Sequence, residues 1–261
     1  ALIHYQGTRL PQRRVELYRL CVEALAETWN LARSLTGRPL DLWLGERRLD
    51  ERRVVEALAP IAFWVQEEKP GGLAGRRELE DRLARHFQEW EGQSQAATAP
   101  LAHDFLDLIR EQSGLLVERG LNLYGFMHLT FQEYLAARYL AQQADPFDTV
   151  HKHLHDPRWR EVVLLTAGIL GDFAPAQAGR FVQAIRQARS ADEDLLHRDL
   201  LLACRTLADD TPLPPEVRNG LLDELLALWR ATEYEKLREE AVNLLAGMRG
   251  TVCERRVLSA L

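Results

Sequence analysis

A histidine lies where an apolar, strand-like segment gives way to an amphipathic, helix-like one. This is His128 in YGFMHLTFQEYLAARYLA, residues 124–141. Histidine can serve as a general acid or base, a metal ligand or a hydrogen-bond donor, but no residue pattern nearby completes a catalytic set. From the residues alone, His128 is predicted to be partly buried between a hairpin and a helix.

Three further histidines, His151, His153 and His155, occupy alternate positions in HKHLH. On a strand they would share one face and could bind a metal ion. They precede DPRW in a predicted loop or helix start, and no cysteine or carboxylate pattern accompanies them. A solvated loop is therefore the preferred interpretation, with a metal site as the alternative.

Motifs for nucleotide hydrolysis, serine hydrolysis and zinc chemistry are absent from the sequence. GGLAGRRE (71–78) is rich in glycine, but it lacks the lysine and the serine or threonine of a phosphate-binding loop. Neither G-x-S-x-G nor H-E-x-x-H occurs. The chain by itself is predicted not to be an enzyme, with no catalytic residue, metal site or cofactor of its own.

The composition is that of a globular protein rich in helix. Of 261 residues, 46% are apolar and 28% are charged, and the net charge is −6. Because a nucleic-acid binder is usually basic, nucleic acid is not expected as a partner. The longest apolar run, EVVLLTAGIL (161–170), is too short to span a membrane.

The cysteines and the first residues bear on the cellular compartment of the protein. Cys21, Cys204 and Cys253 are far apart and odd in number, which favours buried thiols in a reducing compartment and predicts a cytoplasmic location. The opening ALIHYQGTRLPQRR contains no signal-peptide pattern. It is typical of the tail of a helix, which suggests a fragment of a longer protein.

Hydrophobic periodicity predicts mostly helices in the first 113 residues. A short helix at the start is followed by a long one from about Pro11 to residue 35, and further helices cover 49–68, 76–90 and 101–113. Loops are expected at 35–41 and 91–100. The apolar face of the long helix comprises Val15, Leu17, Tyr18, Cys21, Val22, Leu25 and Trp29.

A hairpin and one more helix are predicted to follow. The strands are Leu115–Val117 and Leu123–Phe126. The helix is expected to begin at Thr130, with Glu133 completing a capping box. Three helices, a hairpin and a helix are in the order of a winged-helix domain.

The helix over 101–113 would enter a DNA groove in such a domain. However, Asp104, Asp107 and Glu111 would repel phosphate, so a packing surface between domains is favoured.

Stacked helices are predicted from residue 146 onward. RWREVVLLTAGIL, LHRDLLLACRTLA and KLREEAVNLLAGM each contain an arginine, an acid and an apolar run, and Arg160, Arg198 and Arg238 are 38 and 40 residues apart. A period near 40 with two helices per unit indicates a HEAT-like α-solenoid. The acidic ADED (191–194) is typical of a helix N-terminus. The predicted fold is therefore mostly α, with domains at 1–45, 46–144 and 145–261.

The strongest family signal follows the hairpin. The segment resembles the winged-helix domain of NACHT-type NTPases, signal-transduction (STAND) proteins related to NOD-like receptors. LPQRRVELYRLCVEALAETW and DPRWREVVLLTAGIL resemble the helical domain before it and the helical array after it in bacterial members. The matching residues of the winged-helix pattern are Phe126, His128, Thr130, Phe131, Gln132, Glu133, Tyr134, Ala136 and Ala137.

The resemblance implies that the chain is the C-terminal half of a NACHT NTPase and that the parent protein is an ATPase using ADP, ATP and Mg. It implies that His128 contacts the β-phosphate of ADP, but only when the NTPase core is present, and so clamps the closed state. Phe126, Phe131, Tyr134 and Trp159 are expected to be structural, and Glu133 is expected to cap the helix.

The implied partners are the NTPase domain of the same protein, a protein or other signal ligand on the helical array, and further copies of the activated parent. The resemblance also implies the role of bacterial members in defence against phage. Two alternatives stay open from the sequence. One is a stand-alone scaffold that binds proteins through its helical array, and the other is a winged-helix regulator of transcription.

Overall fold

The fold was examined in a computed structural model that describes residues 11, 13–36, 43–44, 47–48, 50–92 and 94–260. The fold is mostly α-helical, as the sequence predicts. Residues 16–139 form one compact unit, and residues 140–261 with 13–15 form another. The division at residues 45 and 144 stays a prediction. None of the described helices is long and apolar enough to cross a membrane.

The first unit holds five helices and five short strands within its described residues. A π-helical turn at Ile109–Ser113 extends the fourth helix. The elements are α1 (Arg14–Thr36), β1 (Trp43–Leu44), β2 (Arg47–Arg48), α2 (Glu51–Glu68), β3 (Ala74–Gly75), α3 (Arg76–Glu91), α4 (Gln95–Leu108), β4 (Leu116–Gly120), β5 (Leu123–Phe126) and α5 (Leu129–Ala141).

Helices α1 and α2 follow the predicted periodicity. On α1, Val22 and Ala26 are fully buried. Helix α2 begins after Asp50, whose carboxylate accepts a 2.9 Å hydrogen bond from the Arg53 N–H, as an N-cap should. The predicted helix before residue 11 and the side chain of Trp29 lie outside the described residues. The buried face of α2 comprises Val54, Val55, Leu58, Ile61, Ala62 and Val65.

The sheet has one strand more than the sequence predicts. Its order is β3-β5-β4, and all neighbours are antiparallel. β3 lies in GGLAG, where no strand was predicted, because a two-residue strand carries no periodicity by which to detect it. β4 runs to Gly120 through a bulge at Glu118 and Gly120, beyond the predicted end at Val117. The small β1–β2 hairpin was also not predicted.

The predicted loop at 91–100 is wrong, because α4 begins at Gln95 and contains Pro100. Thr98 is fully buried, and its hydroxyl donates a 2.9 Å hydrogen bond to the Ala84 carbonyl of α3. Phe105 of α4 also packs edge-on against Phe87 of α3, with 5.5 Å between ring centroids. This packing and the alanine-rich start of α4 favour helix and outweigh the proline that signalled a loop.

The second unit is a series of helices in contact with their neighbours along the chain. Helix α7 contacts α8, α8 contacts α10, and α10 contacts α7, α11 and α12. Such neighbour contacts suit a repeat array, and the HEAT-like description stays a prediction. Its elements are α6 (Pro146–Val150), a 3-10 turn (His151–His153), α7 (Arg160–Phe173), α8 (Pro175–Arg186), α9 (Glu193–Leu196), α10 (Arg198–Ala208), α11 (Pro215–Ala231), α12 (Glu235–Gly247) and α13 (Glu254–Ala260).

None of the three cysteines forms a disulfide within the described residues. Cys204 and Cys253 are buried and Cys21 is half-buried, and all three are free thiols. Burial raises the pKa of the Cys204 thiol far above its ordinary value. A protonated, buried thiol is a poor nucleophile, so Cys204 acts as a small apolar core residue.

Replacing Gly125 with alanine is expected to lower the free energy of unfolding by about 1–3 kcal/mol. A Cβ at Gly125 would lie 2.9 Å from the Gly72 carbonyl oxygen and 2.9 Å from the Leu73 side chain, so backbone must shift. Chemical denaturation measures the loss. Gly71→Ala is the control, because a Cβ there meets no atom of the described residues within 4 Å. Equal stability of the two variants would contradict the packing.

Candidate functional site

The candidate site begins at the end of β5. The Met127 N–H donates a 2.9 Å hydrogen bond to the Leu115 carbonyl, which continues the pairing of β5 with β4 by one residue. Tyr124 and Phe126 of β5 are buried. The strand therefore fixes the backbone up to Met127, and His128 is the next residue.

Helix α5 begins directly after this strand. The His128 carbonyl accepts hydrogen bonds from the N–H groups of Phe131 (3.1 Å) and Gln132 (3.4 Å). The helix starts at Leu129, so Thr130 lies in its first turn and the predicted Thr130–Glu133 capping box is wrong. Glu133 is instead a buried residue of the helix, with 7% of its surface exposed. Only two residues, Met127 and His128, therefore connect β5 to α5.

His128 itself is exposed. Its ring lies edge-on to Phe131, with 5.3 Å between centroids and 77° between planes. Among the residues that the structure describes, neither ring nitrogen has a hydrogen-bond partner. The prediction of a partly buried His128 is therefore wrong. Its ring is in position to donate a hydrogen bond to a bound group.

Arg119 brings a positive charge to the same strand end. Its guanidinium donates a 2.8 Å hydrogen bond to the Met127 carbonyl and a 3.4 Å one to the Phe126 carbonyl. The first N–H groups of α5 also lack helical partners, as at any helix N-terminus. The local field therefore favours an anion near His128. Arg119 was not predicted to lie here, because its position beside Met127 depends on the register of the hairpin.

The helix behind His128 is rigidly held. Residues 131–137 are all buried. The Gln132 amide donates a 2.7 Å hydrogen bond to the Gln66 side chain of α2, and both side chains are buried. Burial raises the pKa of Tyr134, although a hydrogen bond with Arg138 partly offsets this. Of the residues predicted to be structural, Phe126, Phe131, Glu133 and Tyr134 surround this junction, and the buried Trp159 lies in the second unit.

The helix that would read DNA is occupied by an ion-pair network. Arg76 of α3 contacts Asp107 of α4 (2.8 Å) and Glu80 (2.7 Å). The His103 ring lies 3.0 Å from Glu80 and 3.5 Å from Asp107. The hydrogen bond from Arg76 lowers the pKa of Asp107 below its ordinary value. The acidic side chains add negative charge at this face, and the basic ones are already paired, so it is poorly suited to bind phosphates.

The three alternate histidines have three different surroundings. His151 lies 2.6 Å from the Asp148 carbonyl, and the His153 ring stacks on Trp159 with centroids 4.3 Å apart. His155 lies 2.7 Å from the Asp199 carboxylate and 2.9 Å from the Ser190 hydroxyl. The predicted solvated loop is therefore wrong for His155. Among the described residues, no group of three or more metal-ligating side chains could hold a metal ion.

Asp199 joins three chain segments in the second unit. Its buried carboxylate also accepts a 2.9 Å hydrogen bond from the Ser190 N–H. Burial alone would raise the pKa of Asp199, but the Ser190 and His155 hydrogen bonds together lower it below its ordinary value. His155 contacts both Ser190 and Asp199 through the same nitrogen, Nε2. A Ser-His-Asp catalytic triad needs both ring nitrogens, so this arrangement is structural.

Comparison with known proteins identifies the first unit. Residues 14–140 match a family described as the winged helix-turn-helix domain C-terminal to NACHT. No curated protein matches the chain. No solved structure matches it either.

Replacing His128 with alanine is expected to change the free energy of unfolding by no more than about 0.5 kcal/mol, since its side chain is exposed. Phe131→Ala should cost about 3 kcal/mol or more, because it removes a buried ring from the same junction. Chemical denaturation of both variants makes the comparison. A loss at His128 approaching that at Phe131 would show that His128 supports the fold.

The Asp199 contacts are expected to make the free energy of unfolding depend on pH in the acidic range. Because the folded-state pKa of Asp199 is lowered, its contribution is present above the ordinary value of 3.8 and is lost as pH falls below it. The fall in unfolding free energy between about pH 5 and about pH 3 should be smaller in Asp199→Asn than in the unchanged protein. Asp192→Asn, at an exposed carboxylate, is the control. Identical pH profiles for all three proteins would contradict the assignment.

Proposed function

Because residues 14–140 belong to the winged-helix family that lies C-terminal to NACHT domains, we propose that this chain is the regulatory region of a NACHT-family signal-transduction NTPase. In this proposal the winged helix holds the ADP-bound, closed state of the NTPase. The helical array of the second unit receives the activating signal. The proposed setting is that of bacterial members, defence against phage.

The observation that carries this proposal is the exposed His128 at the start of α5, in front of a fully buried helical segment. A functional donor should be free to meet a ligand while its backbone is fixed. A hydrogen bond to a charged group contributes about 1.5–3 kcal/mol. Such a free energy biases a two-state equilibrium roughly 10- to 150-fold, which is enough for a molecular switch.

The proposed switch has two positions. In the closed state, the His128 ring donates a hydrogen bond to the β-phosphate of ADP held by the NTPase domain. Arg119, whose guanidinium lies at the Met127 carbonyl, adds positive charge at the end of β5. Exchange of ADP for ATP would release this contact and allow the protein to self-assemble. ADP, ATP and Mg would be bound by the NTPase domain, so this region contributes a clamp but no catalytic residue.

Regulation of transcription is a weaker alternative on physical grounds. The basic side chains Arg76 and Arg110 near the would-be recognition helix are engaged by carboxylates of the same unit. A DNA-binding helix needs basic side chains available for phosphates. A stand-alone protein-binding scaffold would use the second unit only, and would leave the free ring of His128 without a role.

The test is ADP binding by a protein that includes the proposed NACHT domain, measured by calorimetry. His128→Ala should weaken ADP binding about tenfold or more, as loss of a charge-assisted hydrogen bond requires, and should favour assembly in size-exclusion chromatography. His151→Ala, another exposed histidine, should bind ADP like the unchanged protein. Unaltered ADP affinity and assembly in His128→Ala would rule out the clamp.

A further inference from the structure

A cavity of about 250 Å³ lies in the second unit, where the starts of α7 and α10 meet the segment before α7. We call it the arginine cavity, because Arg160, Arg198 and Arg205 line it together with Asp156 and Glu240. All of these residues belong to the same compact unit. The cavity therefore lies within one compact unit of the chain.

The charges of the arginine cavity do not cancel. Arg205 is paired with Glu240, and Asp156 is paired with Arg158 at 2.7 Å. Arg160 and Arg198 have no ion-pair or hydrogen-bonded side-chain partner among the residues that the structure describes. Two guanidinium groups thus line the cavity, and its two carboxylates, Asp156 and Glu240, are ion-paired with other arginines.

Both arginines lie at the start of a helix. Arg160 is the first residue of α7 and Arg198 is the first residue of α10. The N-terminus of a helix carries partial positive charge, of which Glu161 and Asp199 in the same first turns offset a part. An anion in the cavity would interact favourably with both guanidinium groups.

The sequence repeat places the two arginines together. Arg160 and Arg198 occupy equivalent positions in successive repeats, and α7 contacts α10 directly. Arg238, the arginine of the third sequence unit, is instead the fourth residue of α12, and its guanidinium donates to the Thr232 carbonyl. Arg160 and Arg198 therefore line this cavity without a contribution from Arg238.

Apart from His155, whose Nε2 is engaged by Ser190 and Asp199, the rest of the lining is apolar. Leu154, Leu201 and Leu202 line the cavity and are largely buried. A pocket that combines a few charged groups with apolar walls is typical of a small-molecule site. Its volume is below the roughly 300–1,000 Å³ of drug-sized pockets, which favours a small ligand.

We propose that the arginine cavity binds a small phosphomonoester, with Arg160 and Arg198 on the phosphate and the leucine wall against an apolar part of the molecule. Guanidinium groups donate paired hydrogen bonds in a geometry that matches phosphate oxygens. Such a ligand would be the signal that the helical array receives, and in that respect the inference rests on the proposed function. Binding itself does not involve His128.

Calorimetric titration of the 261-residue chain with inorganic phosphate, phenyl phosphate and benzoate tests the proposal. Phenyl phosphate should bind more tightly than inorganic phosphate, which lacks an apolar part, and more tightly than benzoate, which lacks the phosphate. Replacing both Arg160 and Arg198 with glutamine should weaken phenyl phosphate binding about tenfold or more, as expected for lost charge-assisted hydrogen bonds.

The control is Arg180→Gln with Arg255→Gln, which removes the same charge at two exposed arginines outside the cavity. It should bind phenyl phosphate like the unchanged protein, and both double variants should keep the melting temperature. Absence of binding to the unchanged chain, equal losses in the two double variants, or equal affinity for benzoate would overturn the proposal. If His128→Ala left ADP binding unchanged while phenyl phosphate still bound the arginine cavity, that result would count against the proposed switch alone.

Discussion

Burial of α5 on every side is the constraint on which the first unit depends. Seven consecutive residues, 131–137, are buried, so the helix has no solvent-facing stripe over two turns. Its polar side chains must then find partners inside the protein, as Gln132 does on Gln66. The chain can leave this environment only at the ends of the helix. His128 lies just before the first of these ends, and its side chain is exposed.

The same constraint explains how much of the site could be predicted. The family pattern placed His128 between strand and helix, and the apolar run after it indicated a core helix. Sequence spacing could not show that the side chain is exposed, because a buried helix has no polar face to orient it. It also could not bring Arg119 to the strand end, since that contact depends on a bulge at Glu118 and Gly120.

Local signals failed where tertiary packing overrode them. Pro100 suggested a loop, but the Thr98 hydroxyl bonded to α3 keeps α4 helical on both sides of it. The additional strand β3 is only two residues long and is defined by its antiparallel pairing with β5. The long helices of the second unit, by contrast, were predicted well, since each contains a run of apolar residues that is buried within the unit.

The ion-pair network on α4 has a consequence for how the protein moves in a cell. Proteins with available basic side chains spend much of their time on nucleic acids, held by counterion release. Here Arg76 is held between Glu80 and Asp107, and the whole chain carries a net charge of −6. A winged helix whose arginine is paired in this way gains little from counterion release, so non-specific attraction to polyanions is weak at this face.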